Sequence, residues 1–239
     1  MRAILLAAGF GTRLRPITNN VPKCLVPIQG KPLLLDWLER LHDAGVGPFL
    51  INTHYLSEKV VDFIEKSRHR NEVTIVHEHA LKGTAGTLIS NQNFFDNDDG
   101  LLIHADNYCT ENFSKFIGVH NSRPKECLIT MMVFKTNEPS SCGIVEVDSR
   151  GVVINFHEKV KTPPSNLANG AVYILSKEFI KMLDKNFPNA KDFSSDILPK
   201  ILNRIYTYNV EGIFLDIGTP NNYHKVGGDL SQIADDTNV

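Results

Sequence analysis

Short apolar runs alternate with amphipathic stretches through the first half of the chain: "AILLA" (3–7), "PLLLDWLERLHDAG" (32–45), "PFLIN" (48–52), "SEKVVDFIEKS" (57–67) and "EVTIV" (72–76). The series continues with "GTLISNQNFF" (86–95), "GLLIHAD" (100–106) and "ENFSKFIGVHN" (111–121). The short runs have the length of buried strands, and the longer ones space their apolar residues as one helix face requires. Strand and helix in turn predict βαβ units, hence an α/β fold with a mostly parallel, doubly wound, Rossmann-like sheet and helices on both faces. Ligands in such sheets sit beyond the carboxyl ends of the strands. That rule brings the loop after residue 7 and the "HAD" at 104–106 to one mouth.

From about residue 126 the pattern changes to strands separated by turns, "CLITMMVF", "GIVEVD", "VVINFHEKV" and "NGAVYIL". "VDSRGVV" (147–153) reads as a hairpin turn, so a small antiparallel subregion is expected on the sheet's edge. Helices are expected near 177–184, near 194–203 and from about 220. No linker rich in Pro, Gly or Ser divides the chain, and no repeat is visible. One domain over 1–230 is expected, with a first part over about 1–125, a second over about 126–230, and a polar tail at 231–239.

The 239 residues are 42% hydrophobic and carry a net charge of -2, which gives no reason to expect non-specific attraction to nucleic acid or anionic membrane. No apolar run approaches the ~20 residues of a membrane span, and no signal-peptide pattern opens the chain, so a cytoplasmic protein is expected. The four cysteines form no C-x-x-C pair and are expected as free thiols. Of the nine histidines, "HEH" at 77–79 places His77 and His79 on one side of an extended segment, but no third ligand is predictable nearby. A hydrogen-bonding or solvated role is expected for that pair.

The loop after the first strand, "LLAAGFGTRLRPITNNVPK" (5–23), carries the chemistry. A dinucleotide turn would need a third glycine where Leu14 stands, and a phosphate-binding P-loop would need Ser or Thr after a lysine, which "GKPLL" (30–34) lacks. Two readings remain from the residues alone: a solvated turn, or glycines that let backbone N–H groups approach a phosphate.

"LAAGFGTRLRPIT" followed by "PKCLVPIQGKPLL" resembles the signature of the sugar-1-phosphate nucleotidyltransferases, the nucleotide-sugar pyrophosphorylases. The resemblance runs from residue 2 to about 226 and implies a minimal catalytic domain that joins an NTP to a sugar 1-phosphate, releasing pyrophosphate. It implies a cradle formed by Leu6, Ala7, Ala8, Gly9, Gly11, Thr12 and Arg13. Arg13 would hold the β and γ phosphates with its planar fork, and Lys23 would follow the α-phosphate. For Arg15 a solvated role is as well supported as a functional one.

"LLIHADNY" puts Asp106 at a strand end, and "FLDIGTPNNY" matches the family's late motif with Asp216. The resemblance implies that these two hold Mg²⁺ against the phosphates. Each also has a plain alternative: a helix N-cap for Asp106, and for "DIGTP" a turn whose Thr219–Pro220 pair starts a helix. On the sugar side "CGIVEVD", "FHEKV" and "ANGAVYIL" match family segments. They imply Gly143, Glu158, Lys159, Asn169 and Gly170, with Asn107 beside Asp106, as the sugar-phosphate set. Proline of the usual E-K-P is Val160 here. The base is expected at the loop "EHALKGTAGTL" (78–88), through Glu78, Gly83 and Thr84, where G-T-A-G resembles guanylyltransferases for mannose-type sugar phosphates. Lys82 departs from the usual apolar residue there.

GTP with mannose 1-phosphate or a manno-heptose 1-phosphate is therefore the expected substrate pair. Uridylyl, thymidylyl or cytidylyl transfer to another sugar phosphate or a phospho-alcohol, or a catalytically silent nucleotide-sugar-binding regulator, are the alternatives. No nucleic acid or membrane partner is expected, and a homodimer is compatible with the chain.

Overall fold

The structure is a computed structural model that describes residues 1–229; the expected polar tail at 231–239 lies outside the described residues. In chain order the strands and helices begin with β1 (Arg2–Leu6), β2 (Pro27–Ile28), β3 (Lys31–Pro32), α1 (Leu33–Asp43), β4 (Phe49–Thr53), α2 (Ser57–Lys66), β5 (Val73–His77) and α3 (Gly83–Ser90). They continue with β6 (Gly100–His104), β7 (Asn107–Cys109), α4 (Phe113–Asn121), β8 (Ile129–Lys135), β9 (Gly143–Val147), β10 (Val153–Glu158) and β11 (Leu167–Leu175). The last are α5 (Lys177–Asn186), β12 (Ile205–Asn209), β13 (Phe214–Asp216) and α6 (Pro220–Lys225). The alternation expected over the first half is present, and the fold is α/β with a mixed, mostly parallel sheet.

The chain divides into two compact units. The glycine-loop unit comprises Leu5–Leu81, His104–Glu111 and the described residues from Gly212 onward. It holds the last two residues of β1 and the parallel pair β4 and β5. Helix α1 buries Leu33, Leu34, Trp37, Leu38 and Leu41, one face at helical spacing, and leaves Glu39 and Arg40 on the other. The single tryptophan also does polar work: its Nε1 donates to the Asn107 carbonyl at 2.9 Å, which fixes the start of β7. Strands β7 and β13 form their own antiparallel ladder, Asn107 facing Asp216 and Cys109 facing Phe214. Helix α6 is pinned by Tyr223, whose hydroxyl donates to the Pro27 carbonyl at 2.6 Å.

The strand-rich unit comprises Met1–Ile4, Lys82–Ile103 and Asn112–Glu211. Its order is β10-β9-β11-β6-β1, and β8 pairs with both β11 and β12. The hairpin expected around 147–153 joins β9 to β10. Antiparallel pairing reaches further in than an edge subregion, because the nine-residue β11 runs antiparallel to β6, β8 and β9 alike. Two expectations need correction here. The helix near 194–203 is a π turn, Phe193–Ile197, followed by a 3-10 turn, Leu198–Lys200. Pro199 has no N–H to extend a helical ladder and crowds the preceding turn. The expected base loop at 78–88 is helical from Gly83, since α3 starts there.

Candidate active site

The glycine-loop unit gathers four charged side chains. Strand β1 ends at Leu6, whose carbonyl accepts from Ala105 N at 3.1 Å, and Ala7 N donates to Asn52 Oδ1 at 2.8 Å. These bonds fix both the entry to the loop and the turn that carries Asp106. Gly11 sits at φ +62°, and a Cβ there would lie 2.9 Å from Thr18 Cγ2 and 3.2 Å from Lys23 Cβ. Glycine is required on both counts. Thr18 Oγ1 closes the loop by donating to the Gly11 carbonyl at 2.7 Å. At Gly9 a Cβ would meet no atom within 4 Å, so internal packing does not ask for that glycine.

After Gly11 a 3-10 turn, Thr12–Leu14, buries Leu14 and leaves Arg13 65% exposed with Nη2 at 3.0 Å from Asp216 Oδ2. Lys23 opens a second 3-10 turn and is only 6% exposed, yet its ammonium reaches two carboxylates: Asp106 Oδ2 at 2.9 Å and Asp216 Oδ1 at 3.1 Å. Asp106 lies in the turn before β7, and Asp216 ends β13, so the short ladder brings the two acids to one ammonium. Asp106 caps no helix. Thr219 does, accepting from Asn222 N at 3.3 Å with Pro220 behind it, which leaves the Asp216 carboxylate free for the cluster.

Burial works against the charge of both acids, but the Lys23 ammonium overcomes it and holds each carboxyl below the usual carboxylate range. Arg13 and the Gly218 amide, 2.8 Å from Asp216 Oδ1, add to this at Asp216. The cluster is thus ionised and balanced, two cations against two anions. Two hard carboxylates converging on one cation are a donor set that suits a divalent ion such as Mg²⁺. Burial pushes the thiols of Cys24 and Cys109 up to about 12, with Asp106 adding to the shift at Cys24, so neither serves as a thiolate nucleophile at neutral pH.

Sequence reasoning missed two residues of this cluster and one that supports the loop beside it. A Cβ at Gly218 would stand 2.7 Å from Arg13 Nη2 and 2.8 Å from Asp216 Oδ1. Asn222 Nδ2 donates to the Asp216 carbonyl at 3.0 Å. Both lie inside "DIGTPNNY", so the signal was present as an unassigned part of the motif. Asn52, 4% exposed, ties Ala7 to Glu78 by donating from Nδ2 to Oε1 at 3.1 Å, and no motif marks it. Glu78 itself is 2% exposed, its carbonyl 2.7 Å from His54 Nδ1. His77 lies 3.1 Å from Ser57 Oγ, the hydrogen-bonding role expected there, and forms an edge contact with His79.

In the strand-rich unit, Gly83 at φ +78° packs where a Cβ would run into the Lys191 carbonyl. The Thr84 hydroxyl accepts from Phe193 N at 2.7 Å and donates to Asp192 Oδ2 at 3.3 Å. Gly143 and Glu158 face each other across the β9–β10 hairpin, and a Cβ on Gly143 would lie 2.7 Å from Glu158 Oε2. Lys159, at φ +49° and 66% exposed, stands 3.5 Å from Glu158 Oε1. Asn169 and Gly170 belong to an irregular stretch of β11, next to the Ala168–Ile144 pairing that brings β11 to β9. Asn169 spends its amide internally, Nδ2 donating to Tyr173 Oη at 2.7 Å and Oδ1 accepting from Ala171 N at 2.9 Å. Asn107, in the glycine-loop unit, is 9% exposed.

Residues 2–232 match the family model described as nucleotidyl transferase. A mannose-1-phosphate guanyltransferase of Schizosaccharomyces pombe is 31% identical over 231 residues, 93% of this chain and 62% of that protein. The catalytic subunit beta of the Drosophila melanogaster mannose-1-phosphate guanylyltransferase is 30% identical over 228 residues, 93% of this chain and 60% of its own length. The chain thus spans about three fifths of these curated relatives. Among solved structures, HddC from Yersinia pseudotuberculosis superposes with a TM-score of 0.79 at 26% identity, covering 94% of this chain and 97% of that one. The same protein complexed with GMP-PN gives 0.78. Among the described residues no helix is long and apolar enough to cross a membrane.

Proposed function

The chain belongs to the nucleotidyl transferase family, and from that premise we propose that it transfers a guanylyl group from GTP to mannose 1-phosphate or a manno-heptose 1-phosphate, giving the GDP-sugar and pyrophosphate. The observation that carries the reading is the Lys23 ammonium held between Asp106 and Asp216, with Arg13 on the same carboxylate. Lys23 is only 6% exposed, and its two acids arrive on separate elements, β13 and the turn before β7. Names of the relatives favour guanine and mannose.

The chemistry follows from charge. GTP brings about four negative charges to a cluster that is itself balanced, so cationic groups and backbone amides must meet them. The amides of the Gly9–Arg13 loop face the phosphates, with Gly9 small because the phosphates approach its backbone closely. Arg13, exposed and forked, binds the β and γ phosphates. Lys23 stays with the α-phosphate as it becomes five-coordinate. Asp106 and Asp216 would hold Mg²⁺, which supplies hard-cation neutralisation of the phosphate oxygens. The sugar phosphate is already an anionic nucleophile, so no covalent enzyme intermediate is required, and the chain's task is alignment.

In this reading Gly143, Glu158, Lys159, Asn169 and Gly170 receive the sugar phosphate, and Glu78, Gly83 and Thr84 lie toward the base. Lys159 is the counter-charge for the sugar's phosphate. The division into a nucleotide part and a sugar-phosphate part belongs to the same proposal, as do a cytoplasmic setting and a homodimer. The test uses GTP labelled at the α-phosphorus with mannose 1-phosphate and Mg²⁺. Label should appear in the sugar nucleotide, and Lys159→Ala should raise the KM for the sugar phosphate more than that for GTP. Label appearing only as GMP or GDP would refute transfer to sugar, and equal KM effects would refute the separate roles.

A further inference from the structure

Three metal-ligating side chains converge at the amino-terminal ends of β4 and β5, the ends away from Ala7 and Asn52. His42 lies in the last turn of α1, and His69 and Glu72 lie on the turn between α2 and β5. One ligand atom from each falls within 4.8 Å of the others. His42 Nδ1 is 3.2 Å and His69 Nδ1 3.5 Å from the same oxygen, Glu72 Oε2. Around a tetrahedral ion with bonds of about 2.1 Å, neighbouring ligand atoms stand about 3.4 Å apart. Both nitrogen–oxygen separations already meet that spacing.

The backbone under the site is tied down. Phe49 N donates to the Glu72 carbonyl at 2.8 Å, Glu72 N to the His69 carbonyl at 2.9 Å, and His69 N to Ser67 Oγ at 2.9 Å. His69 is 3% exposed, so packing holds its ring, while His42 is half exposed and leaves the group open to solvent on one side. Two imidazoles and a carboxylate are the ligands of zinc-type ions, whereas Mg²⁺ and Ca²⁺ favour all-oxygen sets. The set therefore differs in kind from Asp106 and Asp216.

Arg68 gives the site a lever. Its Nε donates to His69 Nε2 at 3.2 Å, which keeps the ring proton on Nδ1, the atom that faces Glu72. A metal on Nδ1 requires the proton on Nε2, where it would oppose the Arg68 N–H. Arg68 also holds Glu39 through Nη2 at 2.9 Å and is 65% exposed, so it can release the imidazole and keep Glu39. Binding at Nδ1 then moves the ring proton from Nδ1 to Nε2.

We propose that His42, His69 and Glu72 bind a zinc-type transition-metal ion, tying the end of α1 to the α2–β5 turn, with Arg68 competing against the ion. The site is separate from the nucleotide machinery and stands whether or not the proposed reaction does. The test titrates the full chain with Co²⁺ in excess Mg²⁺, read by visible absorption. One equivalent should bind with the intense bands of tetrahedral cobalt, be displaced by Zn²⁺, and raise the melting temperature. His42→Ala, at an exposed position, and Glu72→Gln should abolish the bands while the apo proteins melt as the parent does. Arg68→Ala should tighten binding by about five- to tenfold, the scale of one net hydrogen bond that no longer competes. Weak octahedral bands, bands that persist in His42→Ala, or weaker binding in Arg68→Ala would overturn the proposal.

Discussion

Lys23 is the residue on which the account turns, since one ammonium neutralises two carboxylates and is also the group assigned to the α-phosphate. Lys23→Met should lower turnover by about 10²–10³, the scale of losing a placed charge at a transition state. It should also raise the pKa of Asp106 and Asp216, because Lys23 is what holds them low. The acid limb of the kcat/KM profile should then move to higher pH; an unmoved limb would mean that the pair does not control activity. Gly11→Ala is a test of the loop itself. A left-handed φ and a Cβ 2.9 Å from Thr18 should cost about 1–3 kcal/mol, seen as a lower denaturant midpoint. At this scale the sequence named the four charged residues only through a resemblance. Spacing alone could not pair residue 106 with residue 216, and nothing marked Asn52, because a buried asparagine in "PFLIN" looks like a strand end.

Elements place these side chains, and the shortest ones matter most. Strands β7 and β13 have three residues each, too few to show an alternation, yet they set Asp216 opposite Asn107. They were invisible to pattern reading for that reason, whereas α1, α2 and α5 were legible from their long apolar faces. Helix α6 starts at Thr219, and Thr219→Ala should cost about 1 kcal/mol, or about 2–4 °C in melting temperature. The KM for GTP should stay unchanged, since Gly218 N holds the Asp216 side chain independently. A large KM rise would show that cap and carboxylate act as one unit.

A second element-scale test concerns His120 on α4, fully buried, with Nδ1 2.8 Å from Thr130 Oγ1 and Nε2 3.1 Å from Asp99, which also accepts Lys177 N at the start of α5. Burial outweighs the attraction of Asp99 and depresses His120 below its ordinary 6.5. Its stabilising share is complete above 6.5 and is lost as pH falls through that value and the folded one beneath it. Burial opposes the charge of Asp99, but bonds from His120 and the Lys177 amide prevail, so its share is lost only below 3.8. Unfolding midpoints should drop between pH 7 and pH 5, and His120→Gln should flatten that step. A wild-type midpoint that does not change over the same range would contradict the assignment.

For the molecule as a whole, composition and periodicity made the α/β class legible, and the family followed from motifs spread over nearly the full length. What remained hidden was the reach of the antiparallel β11, because a buried strand reads the same in either direction. The division of the chain into two compact units was hidden as well, since each is assembled from segments far apart in sequence. The central claim, guanylyl transfer to a manno-configured sugar phosphate, meets its most direct test in one comparison. Pyrophosphate release should be measured as kcat/KM for GTP, ATP, UTP, CTP and dTTP with mannose 1-phosphate and Mg²⁺. Guanine presents a donor pair at N1 and N2 that adenine lacks, and discrimination by an unpaired polar group reaches about 10⁴. The account predicts that GTP leads, with ATP far behind; a lead of about tenfold or more for UTP, CTP or dTTP, or no pyrophosphate from any of the five, would contradict it.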